Sequence, residues 1–367
     1  MLEQVTVKEG DSLDSWAYAR QAMDSCRTLS NDPAQACRLT ERWNNVAVVT
    51  DGSSVPGLGD IGPLASLPLV EEKGRLLAKL AQISAFPLVL GTKALDEAVT
   101  TIISLAPSFG AINLEAMNES SSMEIKRRLL EYDELPVFHD TQDGTPVLGL
   151  AALLNALKVV DKKMAEVKMI LVSNELEALP VVDFFRLAGA ADMVVCDRLG
   201  AIHKGRPGVT NWIKEELAQK TNQNQLKGNL SKIISGADVL VILSPNINLI
   251  KDLAGSMAPS PVIFNLTDQK VNFGQAAVVA GANGNTPNQL SSSLVFPGVL
   301  KGVLNARARV INAAMKMAAA RALAKLVPES ELGPEFIVPS VTKPNLVSVM
   351  AEAVSTAAAV SGVSRFI

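Results

Sequence analysis

The segment GLGDIG at residues 57–62 matches, letter for letter, the glycine pattern that lets a backbone approach a dinucleotide's pyrophosphate. Its setting is wrong for that chemistry. Six residues separate it from the preceding apolar run, Pro63 follows it, and no acidic partner stands about 20 residues further on. It reads instead as a tight turn beside a cleft. Asn174 and Glu177 have the spacing of a capping box that opens a helix. The two histidines, His139 and His203, and the three cysteines, Cys26, Cys37 and Cys196, make no zinc-binding spacing. His139 reads as a packed histidine, and Cys196, inside an apolar strand, as an inert thiol.

The elements that must position such residues are legible from periodicity. The runs at 46–50 (VAVVT), 86–90 (FPLVL), 111–115 (AINLE) and 135–140 (LPVFHD) read as strands. Between them, residues 69–82, 97–106 and 122–133 have helical spacing. Alternation of this kind implies a parallel sheet with helical crossovers. A second unit begins near residue 140. An apolar helix at 147–160 precedes strands at 167–173, 192–197, 238–244, 261–266 and 276–281, with a helix at 175–189. That order is doubly wound and Rossmann-like. One long helix is predicted over 305–328, and another, rich in alanine, within 345–367.

Composition limits the function classes. The 367 residues suggest two domains, and 48% hydrophobic content is ample for packed cores. A net charge of −3 shows no basic excess, which argues against nucleic acid and anionic membranes as partners. No apolar run approaches the roughly 20 residues that a membrane span needs. The polar, acidic start is not a signal peptide, and the odd, unpaired cysteine count points to a reducing, cytoplasmic setting.

The string VAVVTDG, GLGDIGP, INLE, PVFHD, LLNALK, VVCD, KGR, PNQ and FPG, closing on LVPESELGPEFIVPSV, resembles the short bacterial malic enzymes from about Trp16 to the end. The resemblance implies an α/β, two-domain malic-enzyme fold. Residues 1–139 plus 292–367 would form the substrate domain, and 140–291 a degenerate Rossmann-like nucleotide domain. It also implies a homodimer and a small carboxylic acid as substrate. The family oxidises malate, decarboxylates the bound oxaloacetate and tautomerises enolpyruvate.

Residue by residue, the resemblance carries over unevenly. The family's acid, a tyrosine, matches Tyr18, without the Thr-Pro-Gly turn that follows it elsewhere. Its base, the lysine of a Gly-Lys pair that opens a helix, matches Lys73, preceded here by Glu72. Of its three metal ligands Glu115 is kept, while Ala116 and Thr141 replace the other two; Asp140 remains beside Thr141, and Asp143 could substitute only through a rearranged loop. The Gly-rich nucleotide loop is replaced by Ser173, Asn174, Glu175, Leu176, Glu177 and Ala178, whose bulk and negative charge would meet the phosphates. Asp197 stands at the ribose position. Asp268 and Ser291 stand where substrate-binding asparagines are found. Glu115, Asp140 and Lys73 also fit a structural ion-pair cluster, since unpaired carboxylates are costly in a cleft.

These substitutions lead to three expectations. The first is a non-redox lyase, decarboxylase or tautomerase. It would act on a small keto or hydroxy acid through Lys73, Tyr18 and Asp140, without metal or other cofactor. The second is a pseudoenzyme that serves a protein partner. The third is a weak NAD(P)-dependent malic enzyme.

Overall fold

The computed structural model describes residues 15–208, 211–244, 254–267, 270–282, 284 and 286–365, with side chains from residue 22 onward. Asp268 lies outside the described residues. A helix, α1 (Ser15–Asn31), and a short one, α2 (Ala36–Leu39), precede a four-stranded sheet. Its strands are β1 (Asn45–Thr50), β2 (Ser84–Val89), β3 (Ala111–Leu114) and β4 (Val137–His139), in the order β2-β1-β3-β4, and every pairing is parallel. Parallel neighbours need crossovers, which α3 (Pro63–Ala81), α4 (Leu95–Leu105) and α5 (Glu119–Tyr132) supply. Val46 and Val48 pack with Val70 and Leu77 of α3 on one face. Ala47 and Val49 pack with Ile102 of α4 and Ile125 of α5 on the other.

GLGDIG lies in the turn between β1 and α3, as its setting predicts. Val55 and Gly59 form an isolated bridge there. Gly52, at φ +68, lies so close that an added Cβ would meet the Gly62 carbonyl oxygen at 2.1 Å. No residue with a side chain fits that approach.

A wide π-type turn, Asp140–Gly144, leads into α6 (Thr145–Val159) and the second sheet. That sheet contains β5 (Lys168–Val172), β6 (Asp192–Asp197), β7 (Gly200–Ala201), β8 (Val239–Ile242), β9 (Val262–Asn265), β10 (Val278–Gly281) and β11 (Asn288–Gln289). The order is β11-β10-β9-β8-β5-β6-β7, and only the β6–β7 pairing is antiparallel. The chain order reverses between β5 and β8, the switch point where ligands bind in such sheets. α7 (Glu175–Leu187), α8 (Trp212–Lys220) and α9 (Leu230–Ile233) cross over beside it.

The predicted helix over 305–328 is two helices. α10 (Phe296–Ala306) ends at Arg307, which is left-handed with φ +49, and α11 (Ala313–Lys325) starts afresh with Asn312 accepting from the Met315 N–H. A left-handed residue stops one helix and an asparagine cap opens the next. α12 (Leu346–Val360) packs against α10, where Gly302 leaves room for Val354.

Candidate functional site

Lys73 does not open its helix. α3 begins ten residues earlier at Pro63, and its buried stripe is Ser66, Val70, Lys73, Gly74, Leu77 and Ala81. That spacing turns the lysine inward with the apolar residues. A buried ammonium needs partners. Glu115 follows β3 and Asp140 follows β4, and these adjacent parallel strands deliver both carboxylates to the same edge. Lys73 Nζ donates to Glu115 Oε2 and to Asp140 Oδ2, and lies 4.6 Å from the Phe296 ring centre. The ion-pair cluster that the cost of unpaired carboxylates suggested is therefore assembled.

Its electrostatics are uneven. Burial opposes the charge on Lys73, but Asp140 and Glu115 outweigh it and hold the amine above its ordinary range. Burial likewise opposes the Asp140 charge, and Lys73 overcomes it, keeping Asp140 low. Glu115 is pushed up to about 7, by burial first and then by Asp140, against the pull of Lys73. Of the three groups, Glu115 is the one that gains or loses its proton near neutrality. Asp140 Oδ1 and Asn113 Oδ1 are buried without hydrogen-bond partners among the described residues.

Those donors do not suit a divalent ion. The ammonium already bridges the two carboxylates, and Ala116 is left-handed at φ +49 with no donor side chain. Thr141 hydrogen-bonds to Glu119. Asp143 is held by Lys126 and Lys316. No group of three or more acidic, His or Cys side chains suited to a metal occurs among the described residues.

The loop from β5 to α7 has a different electrostatic character from the one its letters imply. Asn174 caps α7, its Oδ1 accepting from the Glu177 N–H at 3.0 Å. The Glu177 carboxyl accepts from Ser244 Oγ, beyond β8. Burial raises Glu177. Burial, then Glu177, pushes Glu119 of α5 up to about 8, against the hydrogen bond from Thr141. Glu119 is therefore mostly neutral at pH 7, and Glu177 is shifted towards its neutral form. Burial thus weakens the negative charge that Glu177 would set against a phosphate. Ser173 Oγ is buried with no partner among the described residues. An orphaned hydroxyl at the head of α7 is a group that a bound diphosphate could satisfy.

Asp197 ends β6 and is gripped by Arg206, at 2.8 Å to Oδ1 and 2.5 Å to Oδ2, with Lys214 at 3.7 Å. Burial works against its charge, but these cations keep it low. Cys196 is pushed up to about 12 by burial, then by Asp197, consistent with an inert thiol. His139 is buried and lowered to about 4, by burial and then by Lys126. Ser291 caps the turn at Ser292–Leu294. Tyr18 lies on α1, but its side chain is outside the described residues. Sequence reading gave no role to Glu119, Ser244 and Lys214, and quoted Arg206 within KGR without assigning it one. Their places beside strand ends and caps need the fold to interpret.

Comparison with known proteins bears on these expectations. The profile described as "Malic enzyme, N-terminal domain" matches residues 9–130, and "Malic enzyme, NAD binding domain" matches 264–359. The chain is 40% identical to an NAD-dependent malic enzyme of Geobacillus stearothermophilus, over 99% of this chain and 77% of that one. It is 37% identical to a bifunctional malic/malolactic enzyme of Bacillus subtilis, over 99% and 90%. The crystal structure of an NAD-dependent malic enzyme from Thermotoga maritima superposes with a TM-score of 0.89 at 34% identity, covering 97% of this chain and 95% of that one. These likenesses show the two-domain α/β fold with its Rossmann-like nucleotide domain. They overturn three expectations: the non-redox lyase, decarboxylase or tautomerase; the pseudoenzyme; and the absence of a cofactor. Relatives this similar over nearly the whole chain are named as NAD- or NADP-dependent malic enzymes. The expectation counted the bulk of Leu176 and the charges of Glu175 and Glu177 against the nucleotide; burial raises Glu177 and so weakens one of those two charges.

Proposed function

The chain belongs to the malic enzyme family, and on that premise we propose that it oxidises and decarboxylates malate with a nicotinamide nucleotide. The observation that carries this reading is the buried Lys73 amine, held between Glu115 and Asp140 at the edge where β3 and β4 end. A bound nucleotide would supply the hydride acceptor for C2 of the acid. Ser173, Asn174 and the amides opening α7 would hold its diphosphate, and Asp197 its ribose.

The chain's own residues then move the proton. Lys73 as found is an ammonium, so it must pass a proton on before it can accept one from the C2 hydroxyl. Glu115, at about 7, is the acceptor within reach. Asp140 stays ionised and keeps the amine in place. Tyr18 is proposed as the acid that returns a proton to the enol. The Lys73 ammonium is already paired with both carboxylates, so the proton steps are assigned to these side chains and Tyr18. The sheets at 45–139 and 168–289 support the division into a substrate unit, 1–139 plus 292–367, and a nucleotide unit, 140–291. A homodimer in the cytoplasm is part of the same proposal. No helix among the described residues is long and apolar enough to cross a membrane.

The test is the absorbance of reduced nucleotide at 340 nm, with malate and NAD or NADP, in the presence and absence of chelator. Growth of the signal with malate, matched by pyruvate, is the expected result. No signal with either nucleotide, with or without manganese, overturns the reading.

A further inference from the structure

The turn Asp140–Gly144 carries two aspartates that point to different surroundings. Asp140 reaches Lys73. Asp143, only 1% exposed, meets Lys126 Nζ of α5 at 2.5 Å, Lys316 Nζ of α11 at 3.1 Å and the His139 N–H at 2.9 Å. Lys316 also lies 5.9 Å from the Phe184 ring of α7. One buried carboxylate thus ties together a helix of the first sheet, a helix beside α12 and the turn itself. Two ammoniums converge on it, and they overcome burial to hold its carboxyl down at about 2. Burial, with Lys316 adding to it, lowers Lys126 despite the pull of Asp143. An arrangement this costly to desolvate is weak evidence of stability, and its value lies in the geometry it enforces.

That geometry is the rotation of the turn. A π-type turn is wider than an α-helical one and is common at functional sites. Within five residues it sets Asp140 against Lys73, Thr141 against Glu119 and Asp143 between the two lysines. The Gly144 backbone lies against Phe138, where an added Cβ would be 3.3 Å from the ring, so the turn has little room to shift unless its anchor gives way.

We infer that Asp143, clamped between Lys126 and Lys316, is the positioning residue that fixes Asp140 against the Lys73 amine. This rests on the reading of Lys73 as a site residue, but its test does not need turnover. Wild type, Asp143→Asn and Lys316→Met are acylated briefly with a lysine-reactive ester, and each lysine peptide is quantified by mass spectrometry. Released from Asp140, Lys73 is expected to label about tenfold faster in Asp143→Asn, with the exposed Lys163 unchanged as a control. Lys316→Met, which removes a side chain 21% exposed, should raise Lys73 labelling several-fold, and it serves if Asp143→Asn does not fold. Faster labelling of Lys126 with Lys73 unchanged in either folded variant overturns the inference, because the clamp is then only local. If wild type oxidises malate, Asp143→Asn should lower kcat roughly 100-fold with little change in KM. An unchanged kcat also overturns it. A wild type without malate oxidation would sink the proposed function, and the labelling would still decide this point.

Discussion

Two buried acidic regions of this molecule solve the same problem differently. Around Lys73, two carboxyls are matched by a cation, so charge is retained and Asp140 stays ionised. Around the head of α7, Glu119 and Glu177 have no lysine or arginine partner among the described residues, and burial moves both towards their protonated forms. The difference shows that a carboxylate's letter says little about its charge. Where a cation is delivered by the fold, the acid is a charge that can act on an amine. Where none is delivered, burial favours the protonated form and lowers the barrier to an anion.

The contrast breaks most sharply at Lys73. Lys73→Met leaves Glu115 and Asp140 buried without their cation, and should cost about 3 kcal/mol in chemical denaturation. Malate oxidation should fall by roughly 10³-fold in the same variant. A variant as stable and active as wild type would remove the distinction between the two regions.

A second prediction concerns pH. Glu119 ordinarily ionises near 4.5 and is raised to about 8 here. Between those values the unfolded chain has lost the proton and the folded chain has kept it, so stability should fall as pH rises through this window and level off above 8. Because the group is partly open to water, the loss should be about 2 kcal/mol, less than the full shift implies. Thermal melts from pH 5 to 9 should show it, and Glu119→Gln should flatten that part of the curve. A slope unchanged in Glu119→Gln means that Glu119 ionises normally.

The smallest effect is expected at Glu177. Glu177→Gln supplies the neutral hydrogen-bonding form that burial favours opposite Ser244, so stability should change by no more than about 1 kcal/mol. Binding of NADH, followed by its fluorescence, should change less than about threefold. A large gain in NADH affinity would show instead that Glu177 is ionised and repels the nucleotide.

Much of this was legible in the sequence because it is local. VAVVT, AINLE and VKMILVS carry the apolar runs of buried strands, and the proline after GLGDIG marks a turn. Resemblance brought Lys73, Glu115 and Asp140 together although they lie far apart in the chain. The break at Arg307 was not legible, since the alanine-rich stretch after it has high helix propensity and one left-handed residue decides the matter. The protonation of Glu119 depends on burial and then on Glu177, 58 positions away, and the clamp on Asp143 on Lys316, 173 positions away. Burial and long-range pairing of this kind arise only when the sheets are assembled.

The most direct measurement of the central claim uses malate deuterated at C2. After incubation with the protein and NAD or NADP, mass spectrometry of the nucleotide should find deuterium in its reduced form, together with pyruvate. Recovery of unreduced nucleotide, with deuterium left in the acid or its decarboxylated product, would contradict hydride transfer and with it the reading of this chain as a malate-oxidising enzyme.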